Sequence, residues 1–98
     1  MSETIDHQQP VCVRVLIAGR VQGVGYRWAT LTQAQQLGIN GWVRNLSDGR
    51  VEAVFEGQKP VVEQIIEWCH TGSSAALVED VEVVEQEPTG IEDFVIRR

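Results

Sequence analysis

Residues 22–27 read Gln22-Gly23-Val24-Gly25-Tyr26-Arg27 and stand between an apolar run and a helical pattern. No other stretch restricts the folding of this chain as strongly. The two glycines let the backbone turn tightly and aim several N–H groups into one concavity. A strand should therefore end before them and a helix begin after them. Arg27 falls in the first turn of that helix, where the N-terminus already carries partial positive charge. A guanidinium suits that place when an anion sits beside it. The stretch reads as an oxyanion cradle, and its amides and arginine suit a phosphoryl group.

The flanks supply the rest of the fold. Residues 11–18 (VCVRVLIA) are rich in β-branched side chains and read as a buried strand that Gly19 ends. Residues 26–37 carry Tyr26, Thr30, Ala34 and Leu37 at helical spacing, and Gly38 closes the helix. Residues 40–46 and 50–56 are strands joined by the hairpin turn Ser47-Asp48-Gly49. In the second of them Val51, Ala53 and Phe55 point one way and Glu52 and Glu56 the other, so one face is expected to be buried. Gly57 breaks the pattern, and Pro60 opens a second helix with Val62, Ile65, Ile66 and Cys69 as its apolar stripe. Residues 71–75 form a loop. Residues 77–86 are a strand with an acidic solvent face, and residues 93–97 a short last strand with Phe94 and Ile96 inward.

The order is βαββαβ plus a terminal strand. The expected class is α+β: a ferredoxin-like sandwich, an antiparallel sheet with two helices on one face and a short extra C-terminal strand. Residues 1–10 are polar, end in proline and are expected to form a flexible tail, with His7 solvated. Residues 11–98 then make one domain. In this topology the loop after the first strand and the end of the strand over residues 40–46 share one edge of the sheet. Asn45 is thereby expected beside the cradle. Cys69 falls on the same edge and Cys12 on the opposite one, too far apart for a disulfide.

Charge and composition exclude several functions. A net charge of −6 argues against a general nucleic-acid or anionic-membrane binder. No apolar run approaches the length of a membrane span, and residues 1–10 carry no secretory pattern. The two cysteines form no CxxC or metal-spaced set. The expected compartment is the cytoplasm, and the expected state a monomer without cofactor or metal. Arg27-Trp28 stands where a Walker-type loop requires Gly-Lys-Ser/Thr, so a nucleotide loop of that kind is excluded.

Three stretches then become specific together. Residues 19–27 (GRVQGVGYR), followed by residues 38–45 (GINGWVRN) and 48–52 (DGRVE), closely resemble acylphosphatase, and the resemblance runs from about Val13 to the C-terminal DFVIR. It implies a small-molecule acyl phosphate as substrate, hydrolysis of its carboxyl–phosphate bond, and no metal. It further implies that Gln22, Gly23, Val24, Gly25, Tyr26 and Arg27 form the phosphate-binding loop. Arg27 and Asn45 would be the catalytic residues, the first holding phosphate and the second the attacking water. Many relatives carry Gly-Pro in the loop before the fourth strand, where this chain has Gly72-Ser73.

The residue types fit such chemistry on their own. An acyl phosphate has a good leaving group, so positioning a water and stabilising phosphoryl charge are the main tasks. A carboxamide orients a water without repelling an anion. Each feature alone has a plainer reading. A glycine pair usually marks an ordinary strand–helix turn, and Asn45 alone would simply start the turn before Asp48-Gly49. Gln22 and Tyr26 are more often turn or packing residues than catalysts. Trp28, Trp42 and Trp68 read as packing residues, with Trp28 the one able to rim a pocket. His70 reads as a helix C-terminal cap. A non-catalytic anion or carbamoyl-phosphate-binding module, as in the acylphosphatase-like domain of larger hydrogenase-maturation proteins, is the alternative. The stand-alone length favours the enzyme over it. An RNA-binding sheet domain is disfavoured by the charge and by the lack of aromatic RNP motifs.

Overall fold

The computed structural model describes residues 9–98. The tail expected over residues 1–10 thus falls largely outside the described residues, and His7 with it. Pro10 already belongs to the first strand. The elements are β1 (Pro10–Arg20), α1 (Tyr26–Leu37), β2 (Asn40–Asn45), β3 (Val51–Gln58), α2 (Lys59–Cys69), β4 (Leu77–Gln86) and β5 (Phe94–Ile96). The α+β ferredoxin-like arrangement is the observed one, with strand order β4-β1-β3-β2-β5.

Every neighbouring pair is antiparallel except β2 and β5, which are parallel. Parallel pairing follows from where β4 stops. Gln86 lies opposite Cys12, at the start of β1. The chain then crosses to the far edge of the sheet along that end, so β5 has to run back in the direction of β1 and β2.

Two glycines expected to end strands stay within them. Gly19 remains in β1, where the pairing with β4 slips between Ala18 and Gly19, and its φ of 127° accommodates that bulge. A Cβ there would run into the backbone carbonyl of Leu77. Gly57 remains in β3, opposite Val11.

The core lies between the sheet and the helices. Val13, Val15 and Ile17 from β1, Val43 from β2, and Val51, Ala53 and Phe55 from β3 meet Ala34 of α1 and Val62, Ile65 and Cys69 of α2. These are the positions that the two apolar periods mark. The opposite face of β3 departs from expectation. Glu52 and Glu56 do not face solvent: they are only 4% and 5% exposed. Arginines from the two flanking strands and the segment before β5 cover this face of β3. Glu52 accepts hydrogen bonds from Arg14 Nη1 (2.9 Å) and Arg44 Nε (2.7 Å) on the flanking strands. Glu56 accepts from the backbone N–H groups of Thr89, Gly90 and Ile91, at 2.9, 2.8 and 3.1 Å.

Burial would raise the pKa of both carboxyls. Hydrogen bonds from Arg14 and Arg44 outweigh it for Glu52, and the N–H groups of residues 89–91 outweigh it for Glu56. Both are held below the ordinary glutamate value. Glu56 thereby fastens the crossing segment that carries β5 to its edge. Asn40 Nδ2 adds a bond to the Ile91 carbonyl at 2.8 Å. Cys12 and Cys69 are both buried and unbridged, as expected.

Candidate active site

Gly23 and Gly25 adopt the left-handed φ values of 75° and 79° that the turn from β1 into α1 requires. Gly25 is the N-cap of α1. No side chain caps this end, and no acidic residue stands in its first turn. Its first N–H groups have no acceptor within the helix, which is the general state of a helix N-terminus. Arg27 follows, half-buried, and among the described residues no carboxylate pairs with it.

The loop is fastened on every side of the two glycines. Val21 is buried in the core. Gln22 Nε2 donates to the carbonyls of Leu46 (2.7 Å) and Arg50 (2.9 Å), the residues that close the β2–β3 hairpin. Ser73 Oγ donates to the Val24 carbonyl at 2.8 Å. Tyr26 is buried, and its hydroxyl donates to the Cys69 carbonyl at 2.7 Å. Burial, together with the adjoining Cys69, pushes the Tyr26 hydroxyl pKa well up, and burial pushes the Cys69 thiol up to about 12. Tyr26 thus holds the loop as a neutral hydroxyl on the Cys69 carbonyl. Gly23 and Gly25 stay exposed between these fastenings.

A cavity of about 220 Å³ is lined by Val21, Gly23, Gly25, Tyr26, Arg27, Trp28, Asn45 and Ile96. The sheet topology does bring Asn45 to the loop. It is the last residue of β2, half-buried opposite Val51, and its Oδ1 is buried with no hydrogen-bond partner. An unsatisfied buried acceptor is costly, and such atoms cluster where a ligand or water completes the set. Of the predicted loop residues, Gly23, Gly25, Tyr26 and Arg27 line the cavity. Gln22 and Val24 do not: their polar atoms hold the loop to the hairpin and to Ser73. Ser73 and Ile96 had no signal in the sequence as site neighbours, because each reaches the loop only through tertiary packing. A larger hollow of about 340 Å³ lies between α2 and the β1–β4 pair. Its lining holds one cation, Lys59 at the start of α2, together with the carboxylates of Glu63 and Glu85.

Among the described residues no three His, Cys, Asp or Glu side chains are grouped to hold a metal ion. Nor is any helix among the described residues long and apolar enough to cross a membrane. The arrangement offers uncapped amides and a guanidinium to an anion, with a carboxamide on the opposing strand.

The acylphosphatase family model matches residues 13–96, which include the whole of this cavity. The chain belongs to the acylphosphatase family. An acylphosphatase of Trichormus variabilis is 51% identical over 98 residues, covering all of this chain and 97% of the relative. The acylphosphatase structure from Coxiella burnetii superposes with a TM-score of 0.87 at 35% identity, covering 90% of this chain and 93% of that one. Full-length HypF in its phosphate- and nucleotide-bound form matches with a TM-score of 0.86 at 29% identity, covering 93% of this chain but 12% of HypF. Against the acylphosphatase fold, the Ser73 hydroxyl of this chain holds the Val24 carbonyl of the loop, a bond that a proline in its place cannot make.

Proposed function

We propose that the chain hydrolyses acyl phosphates to carboxylate and inorganic phosphate, as a cytoplasmic monomer that needs no metal. The observation that carries this reading is the shared cavity. An uncapped helix N-terminus and a guanidinium unpaired among the described residues occupy one wall, and a carboxamide with an unanswered acceptor occupies another. The phosphoryl group sits against the first-turn amides and Arg27. Asn45 orients a water for in-line attack. As the water oxygen bonds to phosphorus, the bond from phosphorus to the carboxyl oxygen breaks, and its electron pair leaves on the carboxylate. The water proton passes to a phosphoryl oxygen. Neither strong acid nor strong base is required, because the leaving carboxylate is weakly basic. Arg27 and the amides supply the electrostatic stabilisation, which typically dominates phosphoryl transfer. The buried, unbridged thiols fit a reducing compartment.

The likeness to part of HypF favours a second reading, in which the same cavity holds a phosphorylated anion without turnover. Coverage weighs against it: the chain spans 97% of the Trichormus acylphosphatase and 12% of HypF. The two readings separate in one assay. Purified protein with acetyl phosphate in excess EDTA should release phosphate well above the buffer rate. Release no faster than the blank, with phosphate still binding, would leave only the second reading.

A further inference from the structure

The cavity has a second, apolar side that phosphate recognition does not use. Val21, Trp28 and Ile96 line it together with the polar groups. Trp28 follows Arg27 in the first turn of α1, about 100° further round the helix, and both line the cavity. Trp28 is 67% exposed. The other two tryptophans have partners. The guanidinium groups of Arg44 and Arg97 lie over the Trp42 ring, 5.3 and 4.6 Å from its centre. Trp68 tilts against Tyr26 at 5.7 Å between ring centres. Among the described residues no ring or guanidinium covers Trp28. A single exposed apolar side chain is ordinary on a protein surface. This one lines a hollow whose polar groups suit an anion.

We propose that Trp28, with Ile96 beside it, is the acyl-group subsite and makes the site prefer acyl phosphates with a flat aromatic acyl group. This rests on the reading of the cavity as an acyl-phosphate site. With the phosphoryl group held at Arg27 and the loop amides, the acyl carbon lies one oxygen away, on the side facing solvent. A methyl group is too small to cover the indole. A benzoyl group presents a planar face, and offset or edge-to-face contact between rings strengthens binding beyond the area buried. Trp28 is then a specificity-determining residue, and the phosphate-holding groups are common to all substrates.

The test compares benzoyl phosphate with acetyl phosphate, and their stable isosteres phenacylphosphonate with acetonylphosphonate. Turnover is measured by phosphate release and isostere binding by calorimetry. The wild-type protein should favour the aromatic member of each pair. Trp28→Ala should lower the benzoyl-to-acetyl kcat/KM ratio and raise the phenacyl-to-acetonyl Kd ratio, each about 3- to 10-fold, and Trp28→Phe should keep most of each preference. Ratios unmoved in Trp28→Ala, including an equal loss for both members, overturn the subsite. Absence of turnover with the phenacylphosphonate preference intact and lost in Trp28→Ala sinks the hydrolytic reading and leaves the subsite standing. Turnover with no aromatic preference does the reverse.

Discussion

At the scale of single residues, Arg27 and Asn45 face one cavity from different elements, and their tasks separate. A guanidinium on phosphate acts in the ground state and the transition state alike. A carboxamide that aims a water acts chiefly on the chemical step. Arg27→Ala should therefore raise the inhibition constant for inorganic phosphate about 10- to 100-fold, the range expected for a charge-assisted hydrogen bond. Asn45→Ala should lower kcat by about 100-fold or more and change phosphate inhibition by less than about 3-fold. Steady-state kinetics with phosphate as competitor reads both effects, and an Asn45→Ala enzyme with undiminished kcat would remove the water-orienting role. Arg27 was legible in the sequence because a cation in the first turn of a helix contradicts the helix dipole. Asn45 was legible only through strand bookkeeping, since asparagine before Asp48-Gly49 is ordinary turn chemistry.

At the scale of elements, the loop between β1 and α1 and the β2–β3 hairpin act as one unit through Gln22. Its Nε2 reaches the carbonyls of Leu46 and Arg50 on either side of the turn. Asn45 immediately precedes Leu46, so this clip sets where its carboxamide stands relative to the loop. Gln22→Ala should cost about 1–2 kcal/mol of stability and lower Tm by roughly 5–10 °C. It should also reduce kcat more than it weakens phosphate inhibition. A loss confined to Tm would make Gln22 structural alone. In the proposed reading Gln22 is a positioning residue, with its amide bonded to the hairpin and its side chain outside the cavity lining. Its two partners lie 24 and 28 residues on, and local pattern carries no trace of them. Ser73 is similar, 49 residues from the Val24 carbonyl that it holds.

At the scale of the whole molecule, the sheet face opposite the helices is organised by two buried carboxylates. Glu52 draws Arg14 and Arg44 together across β1, β3 and β2. Glu56 holds the segment that carries β5 to the edge of the sheet, where Ile96 reaches the cavity. Both carboxyls sit below their ordinary pKa in the folded chain. The unfolded chain therefore binds these protons more readily. Their stabilisation is complete above the unfolded value of about 4.3 and is lost as pH falls through the folded values. Urea midpoints should hold from neutral pH to about pH 5.5 and decline below about pH 4.5. Glu52→Gln with Glu56→Gln should be less stable at pH 7 and show a flatter acid limb. An acid limb as steep as the wild type's would assign the pH dependence to other carboxylates.

Periodicity and turn chemistry are local, and they sufficed for the element order, the helix-facing core and the glycine loop with Arg27. The alternation in residues 51–56 (VEAVFE) reads as a half-exposed strand, because local pattern cannot say which strand will be central. Burial of Glu52 and Glu56 came from strand order, which places β1 and β2 on either side of β3 and the crossing segment beneath. The same cause hid Gln22, Ser73 and Ile96. Their partners are distant in sequence, and only the closed sheet brings them to the loop. The chemistry of this site is therefore written in a short stretch of sequence, while its aim is set by the packing that holds that stretch in place.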